Sequence, residues 1–299
     1  MITAIAGLET GVITPTEKIN DIGVYKKAHE PACWIWNSYG MSHGWLNVTE
    51  AITHSCNYFF YEVGYRATID NIAKYAKYYG LGEKTNVELP MEEKGIVATR
   101  DKAKERGDEW QIGETLSAAI GQSYNSYTPI QMAKYISMLA NGGEPIDVTI
   151  VKSINDVNGN QVSKEDITKF VNAKLGLTKE KKENLNIKKE NIDAILKGMK
   201  GVTSEEGGTA YSTFANFNIE LGGKTGSAQT DVQGKINGWF VGFAPYEEPE
   251  IAVVVLVENA GSGSYTAEVA RDILQEYFGM NMEKVEEDLT AMPSTEIQN

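Results

Sequence analysis

Residues 221–259 read LGGKTGSAQTDVQGKINGWFVGFAPYEEPEIAVVVLVEN. Three strands are expected in and around this stretch, at 219–229, 235–244 and 250–259. The last is apolar on consecutive positions, the mark of a strand covered on both faces, so it is expected at the centre of the sheet. The first carries an unusual run. Lys224 stands between two glycines, Gly222 and Gly223, and a hydroxyl-rich run of Thr225, Gly226 and Ser227. Glycine removes bulk, lysine adds a point charge, and the two hydroxyls add hydrogen-bonding capacity. Together they read as an anion site on a strand edge. The plainer alternative is a glycine-softened strand with a solvated lysine, and these residues alone leave both open.

Upstream of the strands the chain reads mostly as helix. Residues 1–9 suggest the middle of an amphipathic helix that ends near Gly11. Residues 12–45 are turn-rich and aromatic. In 49–66, Ile52, Cys56, Phe59, Phe60 and Val63 recur at helical spacing, with Asn47 or Thr49 as cap. A second helix runs 69–82 and stops at Gly80. Residues 83–113 read as a long loop. Pro129 and Gly142 bracket a helix over 128–143. Residues 146–163 alternate like a hairpin turning at Asn158-Gly159. Residues 164–188 are Lys- and Glu-rich and expected to be exposed. Helices follow at 190–204 and, after the strands, at 264–279. Helices first, then a strand meander closed by a helix, predict an α+β or layered α/β/α fold. One domain is expected over 1–280, with 281–299 an acidic, frayed tail.

Composition narrows the partners. The chain has 299 residues, 41% hydrophobic, enough for a real core. A formal charge of −13 argues against nucleic acid, which needs clustered Lys and Arg. Two cysteines, Cys33 and Cys56, are too few for a disulfide scaffold or a cysteine zinc site, and are expected to be free and buried. Three histidines are too few for a histidine-rich metal site. No metal site is expected. No apolar run approaches the about 20 residues of a membrane span. The N-terminus has no basic region ahead of its apolar stretch, so it does not read as a signal peptide. A chain that opens mid-helix is expected to have been cut from something longer.

Ser-x-Asn occurs three times, at Ser55, Ser123 and Ser153. Ser153 falls in an expected strand and Ser123 in a loop before a helix, where strand-face and turn roles are the default. Ser55-Cys56-Asn57 lies among aromatics on an amphipathic helix, where solubility explains it less well. Two residues apart on a helix do not share a face. Ser55 and Asn57 are therefore better placed together at a helix start or in a loop. Cys56 reads as a packing residue, since a cysteine nucleophile wants a histidine that His54 is not placed to be. The aromatic stretch with Trp34, Trp36, Tyr39 and Trp45 reads as a surface or cleft-edge loop; its residues 34–45 could border a ligand groove or pack in the core, core packing being the plainer of the two, and the pair Trp239-Phe240 is expected to pack in the core.

These motifs have a familiar setting. NVTEAITHSCNYFFYEVG, AAIGQSYNSYTPIQMAKYISMLANGG, MKGVTSEEGGTAY, GGKTGSAQT and GWFVGFAPYEEPEIAVVVLVEN together resemble the transpeptidase domain of class B penicillin-binding proteins. MITAIAGLETGVI resembles the helix directly after that family's S-x-x-K motif. The resemblance covers most of the chain. No S-x-x-K occurs in these residues. The nucleophilic serine, its lysine base and the strands before them are therefore expected to be missing, and the chain alone inactive. Ser123 stands where the family commonly has glycine, and Ser227 where threonine is common.

The resemblance implies a penicillin-binding-protein/β-lactamase-like fold with an antiparallel sheet. It also implies acyl transfer from D-Ala-D-Ala stem peptides through a serine ester, with β-lactams as mimics of the donor. It implies that Lys224 attracts the donor carboxylate and biases proton transfers, and that Thr225 hydrogen-bonds the same carboxylate. Gly226 would leave room for substrate to add as a strand. The backbone N–H of Ser227 would be an oxyanion donor. Ser55 would shuttle a proton to the leaving amine, linked to Lys224, and Asn57 would hold the donor's amide carbonyl. No cofactor is implied. The implied partners are peptidoglycan stem peptides, β-lactam antibiotics and other cell-wall synthesis proteins. The implied place is the extracytoplasmic face of the bacterial membrane, anchored by an N-terminal helix this chain lacks. A β-lactamase or β-lactam sensor shares these motifs, although no residue stands out as activating a deacylating water. A non-catalytic scaffold would also fit a chain without S-x-x-K.

Overall fold

Helix α1 (Ile2–Glu9) is buried without interruption from Thr3 to Leu8. The amphipathic face expected of it is absent, because it threads the core rather than covering it. Its Gly7 allows the crossing: a Cβ there would lie 2.5 Å from Val63. The computed structural model of the chain describes residues 1–176, 184–230 and 232–280. The expected tail, 281–299, lies outside the described residues, as does part of the charged segment 164–188.

After α1, strands β1 (Ile19–Asp21) and β2 (Gly44–Leu46) form a small antiparallel pair around helix α2 (Trp34–Tyr39). The helix expected over 49–66 is broken. Helix α3 (Val48–Thr53) opens on a capping box in which Asn47 and Glu50 satisfy each other's backbone donors. The chain then turns at His54-Ser55, where Ser55 has φ 53°, and restarts as α4 (Asn57–Tyr78) with Cys56 as its N-cap. Thr68, with φ 70°, divides α4, so the expected helix from Ile69 is a distinct arm of it.

The expected loop 83–113 contains α5 (Arg100–Glu105) and the start of α6 (Ile112–Ala119). Helix α7 (Pro129–Ala140) carries Pro129 in its first turn and a Thr128/Gln131 capping box. The hairpin expected over 146–163 is reduced to a single bridge, Asn155 with Gln161. The Asp156 carboxylate accepts from the backbone N–H groups of Asn158 and Asn160, so the turn forms, but its flanks are exposed and bury no face. Helix α8 (Lys164–Leu175) is mostly exposed. Helix α9 (Lys189–Ser204) and the short α10 (Tyr211–Phe214) lead into the sheet.

Strands β3 (Gly222–Gln229), β4 (Ile236–Ala244) and β5 (Ile251–Val257) are antiparallel in the order β3-β4-β5, and α11 (Ser264–Tyr277) closes the chain. Among the described residues β4, not β5, is therefore central. The apolar continuity of β5 has another source: α7 and α11 both pack against β4 and β5, giving the layered α/β/α arrangement of an α+β fold. Phe240 is fully buried beneath α10, ring to ring with Phe214, whereas Trp239 is only half-buried and leaves the expected core.

Helix α9 links the sheet to the Ser55 turn. On one side it packs along β3, and the Thr203 hydroxyl donates to Leu221 O at 2.8 Å. On the other it meets α3 across glycines. A Cβ at Gly198 would lie 2.8 Å from both Ile52 Cβ and Thr49 O, and one at Gly201 would lie 2.3 Å from Thr53 Oγ1. The Thr53 hydroxyl donates to Gly198 O at 3.2 Å.

Candidate active site

Lys224 Nζ donates to Ser55 Oγ and to Thr225 O, each at 2.8 Å. The chain reaches this through two devices. The αL turn at Ser55 points its hydroxyl out of the helix junction, and the α9 buttress sets the distance between that junction and β3. Lys224 keeps partial exposure, yet burial strips its ammonium of water and holds its pKa down to about 8. Asn57 is the first residue of α4. The junction thus places Ser55 and Asn57 at a helix start.

The rest of the Lys224 run is held from behind. Thr225 Oγ1 lies 2.7 Å from Thr209 Oγ1. Gly226 sits against Gly263, where a Cβ would lie 2.2 Å from Gly226 O. Gly263 N–H donates to Ser227 Oγ at 3.0 Å, and Gln122 Nε2 donates to Ser227 O at 3.4 Å. Ser55 therefore meets the middle of β3, where Lys224, Thr225, Gly226 and Ser227 follow one another. Ser123, the residue after Gln122 in the loop before α7, has φ 65° and donates to Glu114 Oε2. The third Ser-x-Asn, at Ser153, is exposed.

The aromatic loop lies largely at the surface, as its cleft-edge reading has it, rather than in the core. Trp34 reaches inward and its Nε1 donates to His54 O at 3.2 Å, but Trp36, Tyr39 and Trp45 are exposed.

Composition also missed a polar cluster directly beneath the Ser55 turn. Asp21, Cys33, His43 and Cys56 bring one ligand atom each to within 4.8 Å of the others. His43 Nδ1 donates to Asp21 Oδ2 at 2.8 Å, and the Cys56 thiol donates to the same oxygen at 3.4 Å. Cys33 Sγ lies 3.6 Å from His43 Nδ1 and 4.0 Å from Cys56 Sγ. Burial opposes the charge on Asp21, but the bonds from His43 and Gly23 outweigh it and hold the carboxyl at about 2. Burial likewise opposes the charge on His43, yet Asp21 and Cys33 raise it to about 9. Contact with Cys56 draws the Cys33 thiol down, while burial pushes Cys56 up. Both cysteines are free and buried, as expected. Two sulfurs, an imidazole and a carboxylate form a donor set suited to a zinc-type ion, and these four residues could hold one. Counting cysteines and histidines missed it because aspartate completes the set and the spacing matches no short motif.

This geometry has relatives. A family model described as the penicillin binding protein transpeptidase domain matches residues 1–275. The chain belongs to that family. The peptidoglycan D,D-transpeptidase MrdA of Haemophilus influenzae is 30% identical over 300 residues, covering 95% of this chain and 44% of that protein. A crystal structure of Pseudomonas aeruginosa PBP2 in complex with WCK 5153 superposes with a TM-score of 0.78 at 31% identity, covering 92% of this chain and 59% of that one. The Helicobacter pylori complex of PBP2 with MreC gives 0.75 at 28% identity, covering 94% and 49%. The chain thus spans less than half the length of the MrdA relative, a class B penicillin-binding protein. No helix among the described residues is long and apolar enough to cross a membrane.

Proposed function

We propose that this chain forms most of a peptidoglycan D,D-transpeptidase domain, with the S-x-x-K serine and lysine contributed by residues upstream of Met1. The observation that carries the reading is the 2.8 Å bond between Lys224 and Ser55 in a site that Met1 adjoins. The Met1 nitrogen is buried and lies close enough to Lys224 to feel its charge. A residue joined to Met1 on the same helix would enter the same cluster. That is where the family's nucleophile motif ends.

In this reading the donor's terminal carboxylate sits at Lys224 and Thr225, and its backbone lies along β3 beside Gly226. The upstream serine attacks the penultimate D-Ala carbonyl. The Ser227 N–H and the serine's own N–H take up the oxyanion charge. Ser55, bonded to Lys224, hands a proton to the nitrogen of the departing D-Ala. An amine of a neighbouring stem peptide then takes the acyl group from the ester, which frees the serine. Asn57 holds the donor amide in line. β-Lactams occupy the donor position and stall at the ester. Work outside the cytoplasmic membrane with other cell-wall proteins fits the relatives, of which one was solved with MreC.

Intact mass after exposure to excess benzylpenicillin tests this. The chain extended upstream through S-x-x-K gains one penicilloyl group, and the 299-residue chain gains none. An extended chain that stays unlabelled would overturn the reading.

A further inference from the structure

Between α9 and α10 the chain crosses from one half of the site to the other in three residues, Gly207-Gly208-Thr209. Gly207 O lies 3.1 Å from His54 Nδ1, next to Ser55. Thr209 Oγ1 lies 2.7 Å from Thr225 Oγ1, next to Lys224. The crossing is fixed at both ends. Gly208 passes so close to the end of α9 that a Cβ would lie 2.4 Å from Gly201 O and 2.6 Å from Val202 O. Ala210 N–H donates to Val202 O, and Tyr211 N–H to Gly208 O, each at 3.0 Å. Gly207 has φ +85° and abuts the His54 ring. Thr209 is thus presented to Thr225 by a backbone with little freedom to move.

We infer that Thr209 is a positioning residue for carboxylate recognition, acting through Thr225; the inference rests on the transpeptidase reading of the site. A hydroxyl has one proton and two lone pairs. If Thr225 donates to Thr209, it turns a lone pair toward the ligand and repels a carboxylate. If Thr209 donates to Thr225, the Thr225 proton is free for the ligand. An anion at Lys224 selects the second arrangement. Thr209 therefore supplies the proton that leaves Thr225 a donor, and its fixed backbone means the arrangement costs little reordering when the ligand arrives.

The test compares Thr209→Val and Thr209→Ser in the chain extended through S-x-x-K. Acylation is followed with benzylpenicillin and with its methyl ester, which lacks the carboxylate charge. Melting temperature is recorded for each variant. Thr209→Val is expected to weaken initial binding of the acid by about three- to tenfold, the range of one net hydrogen bond. The acylation step should change less, the ester should be unaffected, and Thr209→Ser should restore the parent value. Equal losses for acid and ester, or no loss for the acid, would overturn the inference and leave the transpeptidase reading standing. A parent chain that benzylpenicillin does not acylate would overturn both.

Discussion

Lys224 and Ser55 are 169 residues apart in sequence and 2.8 Å apart in space. Neither element could place its residue alone. Ser55 depends on a left-handed turn, and Lys224 depends on a strand whose back is packed against α9. The same helix touches α3 through glycines, so the Lys224–Ser55 distance rests on helix packing remote from both side chains. This makes the pair sensitive to changes that touch neither residue.

Gly198→Ala should show that sensitivity. The added methyl would lie 2.8 Å from Ile52 Cβ and from the backbone oxygen of Thr49, and backbone cannot swing aside. Overpacking of this kind costs about 1–3 kcal/mol. The melting temperature should fall by several degrees, and in the extended chain penicillin acylation should slow beyond what the lost folded fraction explains. Unchanged acylation in the folded variant would mean that the α3–α9 contact does not set the Lys224–Ser55 distance.

Ser55 should trade stability for function. A non-glycine residue in the left-handed region costs roughly 1 kcal/mol or more, and Ser55 sits there with φ 53°. Ser55→Gly is expected to be more stable than Ser55→Ala by about that amount in denaturant unfolding. Both should slow acylation of the extended chain by about a hundredfold or more, the scale of a lost proton shuttle. A Ser55→Ala chain with parental acylation would remove Ser55 from the mechanism.

Lys224 predicts two opposed pH dependences. Burial lowers its pKa from 10.5 to about 8. Between those values the unfolded lysine holds a proton that the folded one has lost, so this group's contribution to stability rises with pH there. Lys224→Met should therefore gain stability over the parent below pH 8, and the gain should vanish by about pH 10.5. Binding of a carboxylate ligand needs the charged form and should weaken as pH rises through about 8. Unfolding curves of parent and variant at pH 7, 9 and 10.5 check the first. A variant less stable than the parent at pH 7 would show that the buried charge is compensated.

Much of this was legible in the sequence, for identifiable reasons. The strands and α7 announced themselves because apolar runs, Pro129 and Gly142 act locally. The Ser55-Lys224-Thr225 grouping came from a resemblance, and geometry alone supplies the distances. What stayed hidden depends on tertiary context. A serine can be forced to positive φ by packing that composition does not encode. The apolar continuity of β5 reports two covered faces and says nothing about how many strands flank it. The hairpin at 146–163 has its turn chemistry, but no face to bury. Thr209 was a single hydroxyl in a glycine-rich loop until the fold set it against Thr225.

The Asp21, Cys33, His43 and Cys56 cluster yields the last prediction. Cys56 caps α4 and accepts from Phe59 N–H, so whatever holds its sulfur also holds the turn that presents Ser55. An ion binding these four residues in the folded state alone stabilises it by mass action, about 2.7 kcal/mol at a hundred times the dissociation constant. Zinc added to chelator-treated protein should raise the melting temperature, and chelator should reverse the gain. Cys33→Ser should remove most of the zinc response while leaving the metal-free stability within about 1–2 kcal/mol of the parent, because Cys33 packs without closing a disulfide. If zinc leaves the melting curve unmoved, the cluster is a hydrogen-bonded core under the turn, and the Ser55 junction is held by packing and the Cys56 cap alone.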